Sequence, residues 1–138
     1  MTGGRDVGHG KTTDGELEVD IRVPKELGGP GGGTNPEQLF AVGFASCFES
    51  AIKVVGMRRK LEVADVEIDS KVHLMPTEER GFKLGVELDI SLPSVTDADQ
   101  AAELIRKAHS VCPYSNATRG NIDVLLKLEG RELEPALV

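Results

Sequence analysis

Four stretches of the chain alternate apolar and polar residues with a period of two. Leu17, Val19, Ile21 and Val23 point one way while Glu16, Glu18, Asp20 and Arg22 point the other. Val66, Ile68, Ser70, Val72 and Leu74 form a second set. Leu84, Val86, Leu88, Ile90 and Leu92, opposed by Glu87, Asp89 and Ser91, form a third, and Ile122, Val124, Leu126 and Leu128 a fourth. Each predicts a strand with one buried and one wet face, a pattern of antiparallel rather than doubly wound sheet. Pro24, Glu79-Arg80-Gly81 and Pro93 punctuate the strand ends.

Two further stretches follow helical spacing. The first opens at Thr34-Asn35-Pro36-Glu37, a capping residue, a proline at the first helical position and then an acid. It runs through Leu39, Phe40, Phe44, Cys47, Phe48, Ala51, Ile52 and Val55 to about Arg59, and no charge interrupts its middle until Glu49 and Lys53. A helix apolar nearly all round is expected to be buried, here in the middle of the domain or of a dimer. The second begins near Thr96-Asp97, sets Ala98, Ala101, Ala102, Ile105 and Ala108 on one side and Asp99, Glu103 and Lys107 on the other, and ends at Cys112-Pro113. Gly28-Gly29-Pro30-Gly31-Gly32-Gly33 reads as a pliable entry loop to the first helix. No Lys-Ser/Thr pair follows it, as a phosphate cradle requires. The order β, α, ββ, α, β predicts an α+β fold, with antiparallel sheets packed on a long buried helix and dimerisation supplying the rest of its cover.

Length and composition narrow the function. With 138 residues the chain is expected to be a single domain, residues 1–138. A formal net charge of −7 without a block of Lys and Arg argues against nucleic acid. Apolar runs short of the ~20 residues of a membrane span and a polar N-terminus point to a cytoplasmic protein. Four Phe, one Tyr and no Trp leave little for stacking platforms. No CxxC is present, and the scattered His9, His73 and His109 give no zinc-ligand spacing.

Candidate chemistry rests on Cys47 and Cys112. Cys47 lies on the apolar face of the first helix between Phe44 and Phe48, and its position alone fits a small core residue. Cys112, at a helix end within Val111-Cys112-Pro113-Tyr114-Ser115-Asn116, stands open between core and site. For Cys47 to act as a nucleophile its thiol pKa must fall, and an apolar setting alone raises it. A cation must therefore neighbour it, Arg being better than Lys, with a carboxylate to hold the fork. Arg5 in Gly3-Gly4-Arg5-Asp6 and Glu37 in the helix's first turn are the candidates, although the helix dipole alone explains Glu37.

Gly3-Gly4-Arg5-Asp6, Pro24-Lys25-Glu26-Leu27-Gly28-Gly29, Thr34-Asn35-Pro36-Glu37-Gln38-Leu39-Phe40, Ala45-Ser46-Cys47-Phe48 and Cys112-Pro113-Tyr114-Ser115-Asn116-Ala117-Thr118-Arg119-Gly120-Asn121 together resemble the organic hydroperoxide resistance proteins, the Ohr branch of the OsmC/Ohr family. The resemblance spans nearly the whole chain in order. It implies a thiol peroxidase that reduces alkyl and fatty-acid hydroperoxides to alcohols. In that reading Cys47 matches the peroxidatic cysteine and Cys112 the resolving one, Arg5 the arginine that stabilises the thiolate and Glu37 its orienting carboxylate. The resemblance further implies an intertwined homodimer, recycling by an external dithiol such as the lipoyl group of a lipoylated protein, and no bound metal or flavin. Phe40, Phe44 and Phe48 are then candidates for a greasy pocket around an alkyl tail, beside the plainer reading of all three as core. The chain departs from the family pattern in starting almost at Gly-Gly-Arg, where an opening strand is usual, and in having Val7 where glycine is usual. The tail Gly130-Arg131-Glu132-Leu133-Glu134-Pro135 reads as a solvent-exposed extension. Competing readings are the sister OsmC branch, a non-catalytic dimeric module that binds an apolar ligand or senses redox state, and a Cys–His hydrolase. The last is weakened because His109 reads as a solvated residue on the second helix.

Overall fold

Gly3 and Gly4 take left-handed backbone angles, φ 74° and 58°, and start a single helical turn, α1 (Gly4–Val7). A side chain on Gly3 would place its Cβ 2.3 Å from the Val7 carbonyl oxygen, so the turn that presents Arg5 requires glycine. The computed structural model describes residues 1–133. They divide into two compact units, Met1–Phe40 and, from Ala41 onward, the rest.

In the first unit, β1 (Gly8–Lys11) pairs antiparallel with β2 (Glu18–Ile21), and Thr2 bridges to His9. Of the alternating stretch from Leu17 to Val23, only the Glu18–Ile21 portion is strand. A 3-10 turn at Lys25–Leu27 precedes the glycine-rich loop. That loop is tied down: Gly28, Gly29 and Gly31 N–H groups donate to the carbonyls of Lys25, Pro24 and Val23.

The long helix α2 (Pro36–Arg58) begins where expected. The Asn35 side chain accepts from the Gln38 N–H at 2.8 Å, so Asn35 is the cap and Pro36 fills the first helical position. Phe44, Phe48, Ala51, Ile52, Val55 and Gly56 are its buried stripe, whereas Val42, Val54 and Met57 stay exposed. By length and composition α2 resembles a membrane span, contrary to the impression left by its short apolar runs. Its buried stripe makes it a core helix.

The second unit is built on a four-stranded sheet in the order β3 (Glu67–Pro76), β4 (Phe82–Ser91), β5 (Asp123–Leu128), β6 (Arg131–Glu132). β3 and β4 form the expected antiparallel hairpin, with Ile68, Ser70, Val72 and Leu74 opposite Ile90, Leu88, Val86 and Leu84. β5 runs parallel to β4, which corrects the expectation of a purely antiparallel sheet. Between them lie α3 (Ala98–Val111) and α4 (Pro113–Thr118). A crossover of that length returns the chain to the starting edge in the same direction, as a hairpin cannot. The Asp97 side chain caps α3 by accepting from the Gln100 N–H. Phe44, Phe48 and Ile52 of α2, Leu88 and Ile90 of β4, and Leu104 and Ile105 of α3 are fully buried. Each such side chain stabilises the fold by roughly 1.5–3 kcal/mol before entropy is charged. The tail is not a free extension over its described part: Arg131 and Glu132 turn back on β5, and the Leu133 N–H donates to the Leu126 carbonyl. Glu134 and Pro135 lie outside the described residues.

Candidate active site

Cys112 is the single residue between α3 and α4, extended at φ −66° and ψ 123°. Pro113 enforces this, because the residue before proline avoids the helical region and proline suits the first position of the next helix. The break turns the Cys112 side chain inward, fully buried. Its thiol donates to the Cys47 sulfur at 3.5 Å, joining residues 65 positions apart in the chain. Cys47 itself is partly exposed. A disulfide needs an S–S length near 2.05 Å, so closure asks for a movement of about 1.5 Å.

An open cleft of about 570 Å³ lies beside Cys47. Val54, Ala51, Val111, Pro113 and Tyr114 give it apolar walls. Gly43 makes room for the Tyr114 ring: a Cβ there would lie 3.1 Å from the phenolic oxygen. Tyr114 also meets Phe44 edge to face, with ring centroids 5.7 Å apart.

The electrostatics of Cys47 pull in two directions. Burial pushes its thiol up, contact with Cys112 adds to this because neighbouring thiols resist ionising together, and a hydrogen bond from the Tyr114 backbone pulls it down. Within the first unit, the Arg5 guanidinium grips Glu37 with both arms, Nη1 to Oε2 at 3.0 Å and Nη2 to Oε1 at 2.7 Å. This fork holds the Glu37 carboxyl below its usual range and raises Arg5 further. Arg5 is half exposed, whereas the Glu37 side chain is only 16% exposed.

The structure thus brings Cys47 to Cys112 and Arg5 to Glu37. Phe44 and Phe48 are fully buried, which matches the plainer of their two readings, and Phe40 is half-buried. His109 requires a correction: it is not solvated but 4% exposed, with Nδ1 2.8 Å from the hydroxyl oxygen of the fully buried Ser115. Burial and the nearby Arg119 charge hold its pKa down to about 4, so the ring is neutral at physiological pH. Tyr114 on the cleft wall and Ser115 against His109 are site positions that residue type alone does not mark, and Pro113 is the signal for them. A proline directly after a helix end starts another helix here, as Pro36 does for α2. No group of three or more His, Cys, Asp or Glu side chains suited to a metal occurs among the described residues.

Comparison with known proteins places this geometry in a family. Residues 29–127 match the family model of OsmC-like proteins. An organic hydroperoxide resistance protein of Xanthomonas axonopodis pv. citri is 50% identical over 92% of this chain and 89% of its own. A crystal structure described as an organic hydroperoxide resistance protein OsmC, from Legionella pneumophila, is 54% identical with a TM-score of 0.86, covering 92% of this chain and 91% of that one. The crystal structure of the organic hydroperoxide resistance protein OhrB of Bacillus subtilis is 46% identical with a TM-score of 0.84, covering 93% of each chain. With half of its residues shared over nine-tenths of its length, and its two cysteines in contact, the chain belongs to the OsmC family as a member of its organic hydroperoxide resistance (Ohr) branch.

Proposed function

We propose that this protein is a thiol-dependent peroxidase that reduces organic hydroperoxides, alkyl and fatty-acid, to alcohols. The observation that carries the reading is the 3.5 Å contact between the partly open Cys47 and the enclosed Cys112. The Cys47 thiolate attacks the distal peroxide oxygen, and the O–O bond breaks. The alkoxide leaves and takes up a proton as ROH, and two electrons pass from sulfur to the peroxide, leaving a sulfenic acid. The Cys112 sulfur then displaces the hydroxyl, which leaves as water, and the Cys47–Cys112 disulfide closes. An external dithiol, in the family reading a dihydrolipoyl group on a lipoylated protein, reduces the disulfide and becomes oxidised itself.

Arg5, oriented by Glu37, is the proposed cation that keeps Cys47 ionised and stabilises the departing alkoxide. The bidentate grip of Glu37 on Arg5 supports this, since it fixes the guanidinium fork. The need is real: burial pushes the Cys47 thiol up, and something must oppose it. The cleft beside Cys47, with apolar walls from Ala51, Val54, Val111, Pro113 and Tyr114, suits an alkyl tail, and Phe44 backs the Tyr114 wall. The exposed Val42, Val54 and Met57 on an otherwise apolar helix support a homodimer in which a second copy covers α2. We assign the enzyme to the cytoplasm, where thiols are kept reduced between turnovers.

Turnover of cumene or tert-butyl hydroperoxide with dihydrolipoamide tests the assignment. Wild type should turn over. Cys47→Ser should lose at least ~10³-fold, and Cys112→Ser should complete a first turnover but not cycle with dithiol. Full activity in Cys47→Ser would remove Cys47 as the attacking thiol.

A further inference from the structure

Closure of the disulfide depends on where the α3–α4 joint holds Cys112, whose N–H donates to the Ala108 carbonyl at 2.8 Å and whose carbonyl accepts from the Asn116 N–H at 3.0 Å. Cys112 carries only a weakly hydrogen-bonding thiol, and Pro113 has no N–H to donate. Two side-chain ties also span the joint, beyond those local backbone bonds. His109, three residues before Cys112, meets Ser115, three residues after it, in a fully enclosed hydrogen bond of 2.8 Å. Arg119 reaches back from the end of α4, donating from Nη2 to the His109 carbonyl at 2.8 Å and from Nη1 to Asn116 Oδ1 at 2.7 Å. It thereby satisfies one of the last-turn carbonyls of α3, which have no partner within the helix. The His109 ring also lies against Phe48, one residue after Cys47 on α2, at a centroid distance of 6.2 Å. One side chain therefore touches both the α4 side of the joint and the helix that carries the attacking cysteine.

We propose that His109, Ser115 and Arg119 form a positioning clamp that holds the Cys112 sulfur within closing distance of Cys47, and so decides whether the sulfenic acid becomes a disulfide or is over-oxidised. The clamp rests on the peroxidase reading above. Burial and the Arg119 charge keep the His109 ring neutral, and Nδ1 shares a hydrogen bond with the Ser115 hydroxyl in either tautomer. The sulfenic acid has two fates: displacement by Cys112, releasing water, or attack on a second hydroperoxide, giving sulfinic acid and a second alcohol. Both branches start from the same intermediate. Their ratio therefore reports the placement of Cys112 independently of how fast the sulfenic acid forms.

The test compares wild type, Ser115→Ala, His109→Phe, the double variant and Arg119→Met, each reduced and then exposed to the same excess of tert-butyl hydroperoxide. Intact-mass and peptide mapping measure Cys47 as disulfide or sulfinic acid, and thermal melting measures stability. Each single variant should raise the ratio of sulfinic acid to disulfide about tenfold or more, since displacements of an ångström commonly cost that much or more in rate. Removing one partner strands the other, so the single core variants should also melt lower, while the double variant, apolar on both sides, should regain most of the melting temperature. The clamp predicts that the double variant remains over-oxidised despite that recovery. Recovery of the wild-type ratio together with the melting temperature would reduce the bond to plain packing and overturn the proposal. Arg119→Met leaves the buried pair intact and keeps the test open if a core variant fails to fold; a wild-type ratio there would remove Arg119 from the clamp. Absence of any Cys47–Cys112 disulfide in wild type would instead sink the peroxidase reading, and the clamp with it.

Discussion

The reactivity of Cys47 is a contest between its surroundings. Burial and the adjacent Cys112 raise its thiol pKa, and the Tyr114 backbone lowers it. An ordinary thiol near 8.5 is already mostly protonated at neutral pH, so a raised one makes a poor nucleophile unless a fixed cation intervenes. In a Cys112→Ser background, Arg5→Ala should therefore raise the Cys47 pKa by about one to three pH units. The pH profile of alkylation by iodoacetamide checks this, and an unchanged profile removes Arg5 from the role. His109 gives a separate pH prediction. Its pKa is about 4 when folded against about 6.5 when unfolded, so below 6.5 the unfolded chain binds the proton first. Stability is complete above pH 6.5 and is lost progressively as the pH falls toward 4, by at most roughly 3 kcal/mol at ~1.4 kcal/mol per pH unit. Urea unfolding at pH 7 and pH 4.5 should show that fall, and His109→Phe should lose much of it.

Among the elements, those with a strong period were legible from the residues. β3, β4 and β5 alternate cleanly, α2 announces itself by Asn35 and Pro36, and α3 by Asp97 and the Cys112-Pro113 stop. The parallel pairing of β4 and β5 was not legible in the alternation, because a half-buried strand reads the same in either direction. It lay in the long crossover through α3 and α4. Gly8-His9-Gly10-Lys11 has no alternation at all, so β1 emerged only from its ladder with β2. Likewise His109 sat at a helix end where a polar residue suggests solvent, and only the turn of α4 brings Ser115 over it. The two cysteines, by contrast, were singled out by residue type and motif before any geometry. Gly43 tests how the elements build the cleft. Alanine there should favour α2 by about 1 kcal/mol in propensity, but its Cβ would press on the Tyr114 ring. Gly43→Ala should therefore melt within a few degrees of wild type and yet lose several-fold in kcat/KM for bulky hydroperoxides. Equal loss for small and bulky substrates would point away from the cleft wall.

For the molecule as a whole, the unresolved balance is apolar surface. A single chain leaves Val42 and Met57 each 71% exposed on a helix that has few charges in its central turns. Surface of that kind is what the proposed homodimer would cover. Sedimentation equilibrium at micromolar concentration should give twice the 14.8 kDa chain mass, and Val42→Glu with Met57→Glu should shift it toward the monomer. A wild-type monomer would contradict the dimer and leave the exposed stripe to another partner.

The most direct measurement is the fate of the two sulfurs when the reduced enzyme meets one equivalent of tert-butyl hydroperoxide. Peptide mapping should find one alcohol released per chain and Cys47 covalently joined to Cys112. Peroxide consumed with both thiols still free, or a product on Cys47 that never passes to Cys112, would contradict the account.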